Sequence, residues 1–229
     1  MFKKIGRILF RIFLAIFISS VIAVVVFRFV PVPFTPLMLI RCGQQLSSGK
    51  GLHLYKDWKP LSEISPHLQL AVVASEDQIF LEHSGFDLKA IKEAAEYNRN
   101  HKKKRGGSTI SQQTAKNVFL IPSRSFIRKG FELYFTFLIE LVWGKERIME
   151  VYLNVIEMGD GVYGAEAAAQ TYYHLHARDL SVPQAAAIAS ILPSPLKYKA
   201  TAPSPFLQEI QANIIRQMNN LGGTLDYSK

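Results

Sequence analysis

Glu76, in the stretch SEDQIFLEHSGFD (75–87), is a carboxylate in apolar company. Helical spacing sets it beside Val72, Val73, Ile79 and Phe80, with His83 two turns along. Removing water from a carboxylate raises its pKa, at about 1.4 kcal/mol per unit. A carboxylate with a raised pKa is what a general base needs near neutral pH. A buried glutamate held in an ion pair gives the same pattern, and this helix alone does not separate the two. Asp77 and Glu82 point elsewhere and are expected to anchor the helix.

Two further stretches bring cations. In KKKRGGSTISQQTAKN (102–117), Gly106 and Gly107 make a loop that can approach a ligand closely. Thr109 and Gln112 have capping-box spacing, so a helix begins there with free N–H groups beside four cations. That is a site for phosphate, although a plain solvated basic loop reads the same way. Lys116, Arg124, Arg128 and Lys129 then precede Glu132. Lysine acts on phosphate as a point charge and arginine as a fork. A carboxylate among them could hold a divalent ion bridging a pyrophosphate.

Other patterns carry less. SPLK (194–197) has the Ser-x-x-Lys form of penicillin-binding acyl enzymes, but lies among prolines without the partner motifs, and reads as chance. HLH (174–176) offers two histidines with no third ligand, the pattern of surface residues, and GDGVYG (159–164) reads as a tight turn before a helix.

These groups need elements to hold them. Helical periodicity dominates from about Ser65, over 66–81, 87–99, 109–118, 126–142, 145–154, 163–173, 181–192 and 205–221. No alternation is long enough for a sheet and no internal repeat is present, so the domain, 63–221, is mostly α. The helix 126–142 is apolar on nearly every side, with Arg128, Glu132, Thr136 and Glu140 forming one narrow stripe. That stripe faces either water or a cleft, and the surrounding apolar residues favour the cleft. Residues 31–62, with four prolines and several glycines, read as linker, and 222–229 as a frayed tail.

Residues 12–27 carry no charge over sixteen positions, and within 8–30 only Arg11 and, near the far end, Arg28 are charged. Crossing hydrocarbon takes roughly 20 residues. A cleaved signal peptide is the competing reading, but VPVPFTPLM has no small-x-small cleavage site. Lys3, Lys4, Arg7 and Arg11 keep the N-terminus cytoplasmic. Residues 1–30 are therefore expected to form a basic tip and transmembrane signal anchor, with the rest on the outer face of the cytoplasmic membrane. The single cysteine, Cys42, excludes an intramolecular disulfide, and a net charge of +9 suits anionic headgroups or a phosphorylated substrate. Nucleic acid is not an expected partner outside that membrane.

In this order the stretches resemble the peptidoglycan glycosyltransferases of family 51, in particular the monofunctional biosynthetic transglycosylases. Glu76-Asp77-x-x-Phe80-x-x-His83-x-Gly85 is similar to the first motif, and GGSTISQQ to the second, with Ser111 where threonine is usual. Arg128-Lys129-x-x-Glu132 resembles the third, and KERIMEVYLN (145–154) the fourth, with Met149 often leucine. VIEMGDGVYGAEAAAQTYY resembles the monofunctional branch. The resemblance covers roughly residues 65–195; YYHLHARDL lacks a frequent Gly-Lys, and Gln184 stands where many relatives have glutamate.

The resemblance implies a lysozyme-like helical fold with a small membrane-associated jaw that includes NVFLIP and SFIRKGFELYF. No transpeptidase domain is expected after residue 229. The implied substrate is lipid II and its growing glycan. Glu76 would take the proton from the acceptor 4-hydroxyl, which attacks the anomeric carbon of a lipid-pyrophosphate donor with inversion to a β-1,4 bond. Lys116, Arg124, Arg128 and Lys129 would hold the pyrophosphate. Glu132 would help catalysis through a divalent cation (Mg or Mn) or by orienting those cations. Ser108, Gln112, Asp77, His83 and Lys145 would bind substrate or shape the cleft. No organic cofactor is implied; cell-wall synthesis and division proteins are implied partners. A lytic muramidase using Glu76 as acid explains neither the cations nor the anchor, and a non-catalytic cell-wall scaffold leaves the intact motifs without a purpose.

Overall fold

A computed structural model describes residues 2–49, 51–101, 106–123 and 125–228. In chain order they form α1 (Phe2–Phe29), α2 (Pro36–Ser47), β1 (Tyr55–Lys56), α3 (Pro66–Glu76), α4 (Leu88–Asn100), α5 (Ile110–Phe119), α6 (Phe126–Val142) and α7 (Lys145–Val155). Next come β2 (Glu157–Gly159), β3 (Val162–Tyr163), α8 (Ala165–Tyr173), α9 (Val182–Ile191) and α10 (Pro205–Asn220). Short 3-10 turns lie at Leu61–Glu63 and Ala177–Asp179.

Local chemistry sets most of the helix starts. Ser65 and Ser204 are N-caps followed by proline at the first helical position, and Thr109 and Gln112 complete a reciprocal capping box. Gln184 accepts from the Ser181 N–H at 2.9 Å at the start of α9. One layer stacks α3 against α9 and α10; another packs α5 against α6 and α7. A single large core runs through both, with Leu68, Ile110, Ile139, Ile148, Tyr152 and Ile188 fully buried.

Four features depart from the sequence reading. Residues 36–47, expected as linker, form α2, capped by Thr35 with Pro36 in the first turn, and Met38 is fully buried. Arg41 on that helix forks onto Glu157 at 2.9 and 3.2 Å, fastening α2 to the domain. The expected helix 66–81 stops at Glu76, and 77–84 is a series of turns. A small sheet of order β1-β3-β2 exists, β1 parallel and β2 antiparallel to β3. The tail is docked: the Tyr227 hydroxyl donates to Gln69 at 3.1 Å, and Leu225 packs on the core.

The polar stripe of α6 turns inward, with Glu132 and Thr136 buried, while Phe126, Ile127, Phe137 and Leu141 are exposed. The water-facing reading of the stripe is therefore wrong; water would have met those apolar side chains first. Among the described residues α1 is the helix long and apolar enough to cross a membrane. Its distal part leans on the domain. The Ser20 and Tyr134 hydroxyls are 2.8 Å apart, the Trp143 indole N–H donates to the Val24 carbonyl at 2.7 Å, and Arg147 donates to the carbonyls of Phe27 and Val30.

Candidate active site

Glu76 is the last residue of α3, and its carboxylate stands at a cavity of about 650 Å³. Asp87, Lys89 and Glu93 from the α4 side, Gly106–Thr109, Gln113 and Pro193 are among the residues that line it. The Gln113 side-chain N–H donates to Glu76 Oε2 at 2.8 Å. Gln113 Oε1 in turn accepts from the hydroxyl of fully buried Tyr152 at 3.3 Å. Burial pushes the Glu76 carboxyl above its usual range; the Gln113 bond and the Lys116 charge oppose the shift, and Asp77 adds to it. The group is thus shielded, open to the cavity on one side, and, among the described residues, not neutralised by direct ion pairing.

Asp77 and His83 brace Glu76 from behind. Asp77 Oδ2 accepts from the Ile110 N–H, the first of α5, at 3.0 Å. Because His83 Nδ1 accepts from the Gly85 N–H, its Nε2 carries the proton that Asp77 accepts at 3.0 Å. The Thr109 hydroxyl donates to the Gly85 carbonyl at 2.7 Å, closing the loop onto α5. Asp77 still borders the cavity; His83 serves the brace. Lys145 belongs to a neighbouring node: it donates to Glu140 at 2.7 Å, lies 4.6 Å from the Phe80 ring centre, and shares Glu140 with the Ser111 hydroxyl. Lys145 thus supports the wall from outside.

The cations gather one turn along α5. Lys116 follows Gln113 on the same face, and its field reaches both Glu76 and Glu132. Burial pulls the Lys116 ammonium below its usual range, with Arg128 and Lys129 adding to the fall and Glu132 and Glu76 opposing it. Arg128 and Lys129 each donate to one oxygen of nearly inaccessible Glu132 at 2.5 Å. Lys116, Asn117, Ser123 and Arg128, with Leu37 of α2, line a second cavity of about 360 Å³. Arg124 lies outside the described residues, as do Lys102–Arg105.

Glu132 does not fit the expected role of metal ligand. Both its oxygens are taken by cations, and among the described residues no group of three His, Cys, Asp or Glu could complete a site. Its geometry is that of a holder that aims Arg128 and Lys129. Ser108 stands between the Glu76 cavity and an apolar groove of about 780 Å³ formed with α4 and α6. Gln112 borders that groove, but its side-chain oxygen is spent on the Thr109 N–H at 3.0 Å. Of the two histidines in HLH, His176 pairs with buried Glu166 at 2.8 Å and His174 caps α8 in the left-handed region.

The sequence reading passed over Gln113, Tyr152 and Asn117. A signal for the first was available: Gln112 is the third residue of the capping box, so its side chain turns back, and the adjacent Gln113 is the one free to face Glu76. Tyr152 and Asn117 carry no such mark. Asn117 has a buried side-chain N–H with no partner among the described residues, beside the cationic cavity.

A helical domain with a shielded carboxylate in an open cleft, and a cationic pocket one helical turn away, defines a lysozyme-like enzyme of glycosyl transfer. The transglycosylase family model matches residues 43–219. Biosynthetic peptidoglycan transglycosylase of Bacteroides thetaiotaomicron is 54% identical over 95% of this chain and 88% of its own length. The protein of that name from Bdellovibrio bacteriovorus is 52% identical over 90% and 82%, and that from Salmonella typhi 49% identical over 95% and 90%. The chain belongs to the transglycosylase family and is a peptidoglycan glycosyltransferase.

Proposed function

We propose that the protein polymerises lipid II into β-1,4-linked glycan on the outer face of the cytoplasmic membrane, held there by α1 with its N-terminus inside. Glu76 accepts the proton of the acceptor 4-hydroxyl as that oxygen attacks the anomeric carbon of the lipid-linked donor. The bond from the anomeric carbon to the pyrophosphate oxygen breaks on the opposite side, which inverts the α-linkage and releases undecaprenyl pyrophosphate. Charge grows on the departing diphosphate, so cations already in place stabilise the transition state more than the ground state. Lys116 and Arg128, with Lys129 and Arg124 beside them in sequence, fill that role, and Glu132 holds two of them in position.

The observation that carries this reading is the placement of Gln113 and Lys116 one turn apart on α5. One is hydrogen-bonded to the base, and the other stands at the cationic cavity. The distance between proton removal and departing charge is thereby fixed by a single helix. Labelled lipid II incubated with Glu76→Gln protein should yield polymer roughly 10²–10⁴-fold more slowly than with the wild type. Polymer made at the wild-type rate would remove Glu76 from the reaction.

A further inference from the structure

Behind Glu76 lies a hydrogen-bonded chain that the reaction above does not use. Tyr152, on α7 and fully buried, donates its hydroxyl to Gln113 Oε1 at 3.3 Å, and Gln113 Nε2 donates to Glu76 Oε2 at 2.8 Å. A glutamine amide has nearly the same shape in its two orientations, and only its partners tell them apart. Turned the other way, Gln113 would set its oxygen against the carboxylate, which is tolerable only when Glu76 is protonated.

We propose that Tyr152 is a positioning residue for Glu76, acting through Gln113: its hydroxyl holds the amide in the orientation that donates to the carboxylate, keeping that carboxylate ionised and aimed into the cleft. The proposal rests on the reading of Glu76 as the base. Tyr152 suits the task because it stays a donor. Burial, with the nearby charges of Glu76 and Asp77, pushes its phenol well above the usual tyrosine range, so the hydroxyl keeps its proton wherever the enzyme works. A group there that could only accept would favour the other orientation of the Gln113 amide.

Among the described residues, the titratable and charged groups facing Glu76 are Asp77 beside it and Lys116 from α5. Asp87, Lys89 and Glu93 stand on the α4 side of the cavity, and Tyr152 approaches from α7. Tyr152→Phe changes none of the other charges. The sign follows directly. Losing a donor to the charged form raises the Glu76 pKa, and an amide that turns over raises it further by accepting from the protonated form. The base is inactive when protonated, so the acid limb of the rate profile moves to higher pH.

The test is the pH profile of kcat/KM for polymer formation from labelled lipid II by the full chain, its Tyr152→Phe and Gln113→Met variants, and the double variant. Tyr152→Phe should move the acid limb up by about one pH unit, with KM within about twofold. Gln113→Met should move it at least as far, and the double variant no further than Gln113→Met alone. A lowered plateau with the limb in place would make Tyr152 a packing residue only and overturn the proposal; additive shifts would overturn it too. Should Tyr152→Phe fail to fold, an unmoved limb in Gln113→Met decides against the relay. Absence of polymer from the wild type, or full activity in Glu76→Gln, would instead defeat the reading of Glu76 itself.

Discussion

Lys116 and Glu76 are shifted toward each other on the pH scale by the same cause, the loss of water around each. The carboxylate must be ionised to accept a proton, so the rate falls as pH drops through its raised pKa. If Lys116 meets a diphosphate as proposed, its ammonium must be charged, and the rate is expected to fall again as pH rises through a pKa lowered from that of free lysine. On the proposed reading the lower limb is expected to belong to Glu76 and the upper limb to Lys116, the fingerprint of one base and one cation that must coexist. Arg128 and Arg147 cannot supply the upper limb, because guanidinium stays charged throughout that range. Lys116→Arg should accordingly extend activity to higher pH while lowering the maximum, since a planar fork does not occupy the place of a point charge. A pH–rate profile of that variant on lipid II checks it, and an upper limb that stays where it was would assign the limb to another group. The three charges of Lys116, Arg128 and Lys129 against the one of Glu132 leave the pocket positive, consistent with a diphosphate rather than a neutral sugar as its occupant.

The turn after α3 shows how an element delivers a residue. The Asp77 N–H still bonds back to the Val73 carbonyl, but Asp77 itself leaves helical geometry at φ −164° and ψ 78°, and its side chain goes to the α5 N-terminus and His83. Glu76 consequently ends a helix rather than lying along one, and can project into the cleft. Gly85 closes the same turn at φ +91°, where a Cβ would stand 2.9 Å from both Glu140 Cγ and Thr136 Cγ2. Gly85→Ala should therefore cost about 1–3 kcal/mol, read as a lower unfolding midpoint in urea in detergent micelles; an unchanged midpoint would mean that α6 yields at no expense. The apolar spacing of Ile79 and Phe80 continues the period of α3, which is why the sequence reading ran the helix five residues too far. Periodicity reports burial, and Phe80 is fully buried, but from a turn. Thr35-Pro36 failed in the opposite sense. Proline density suggested linker, yet a threonine followed by proline is also an N-cap with its first helical residue. The cations and Glu76 were legible because charge among apolar residues is conspicuous in one dimension. The Tyr152–Gln113 chain was not, because it joins positions 39 apart through two ordinary side chains.

At the scale of the molecule the question is how the cleft would reach the proposed substrate, whose lipid stays in a bilayer. The apolar run of α1, residues 12–27, contains Ser20 and Val24, the two points at which Tyr134 and Trp143 of the domain are fastened. The domain is therefore attached to α1 below the end of its apolar run, not above it. The nearby segment of α6 exposes Phe137 and Leu141, and the 121–127 stretch exposes Ile121, Phe126 and Ile127, none of which the core accepts. Burying such side chains in hydrocarbon gains about 25 cal/mol per Å², whereas Arg28 at the end of α1 would mark the headgroup level if α1 spans a bilayer. With α1 spanning the bilayer, α6 is expected to sit in its outer leaflet. The cationic pocket, whose Arg128 and Glu132 lie on the same helix, would then open where lipid diphosphates reside. Single cysteines introduced at 137, 141 and 212 into a Cys42→Ser background should divide accordingly in reconstituted vesicles. Position 212, exposed on α10, should react readily with a water-soluble maleimide, and 137 and 141 should react at least about tenfold more slowly until detergent is added. Equal rates at all three would place α6 in water, and would require the lipid diphosphate to leave the membrane surface before reaching Glu76.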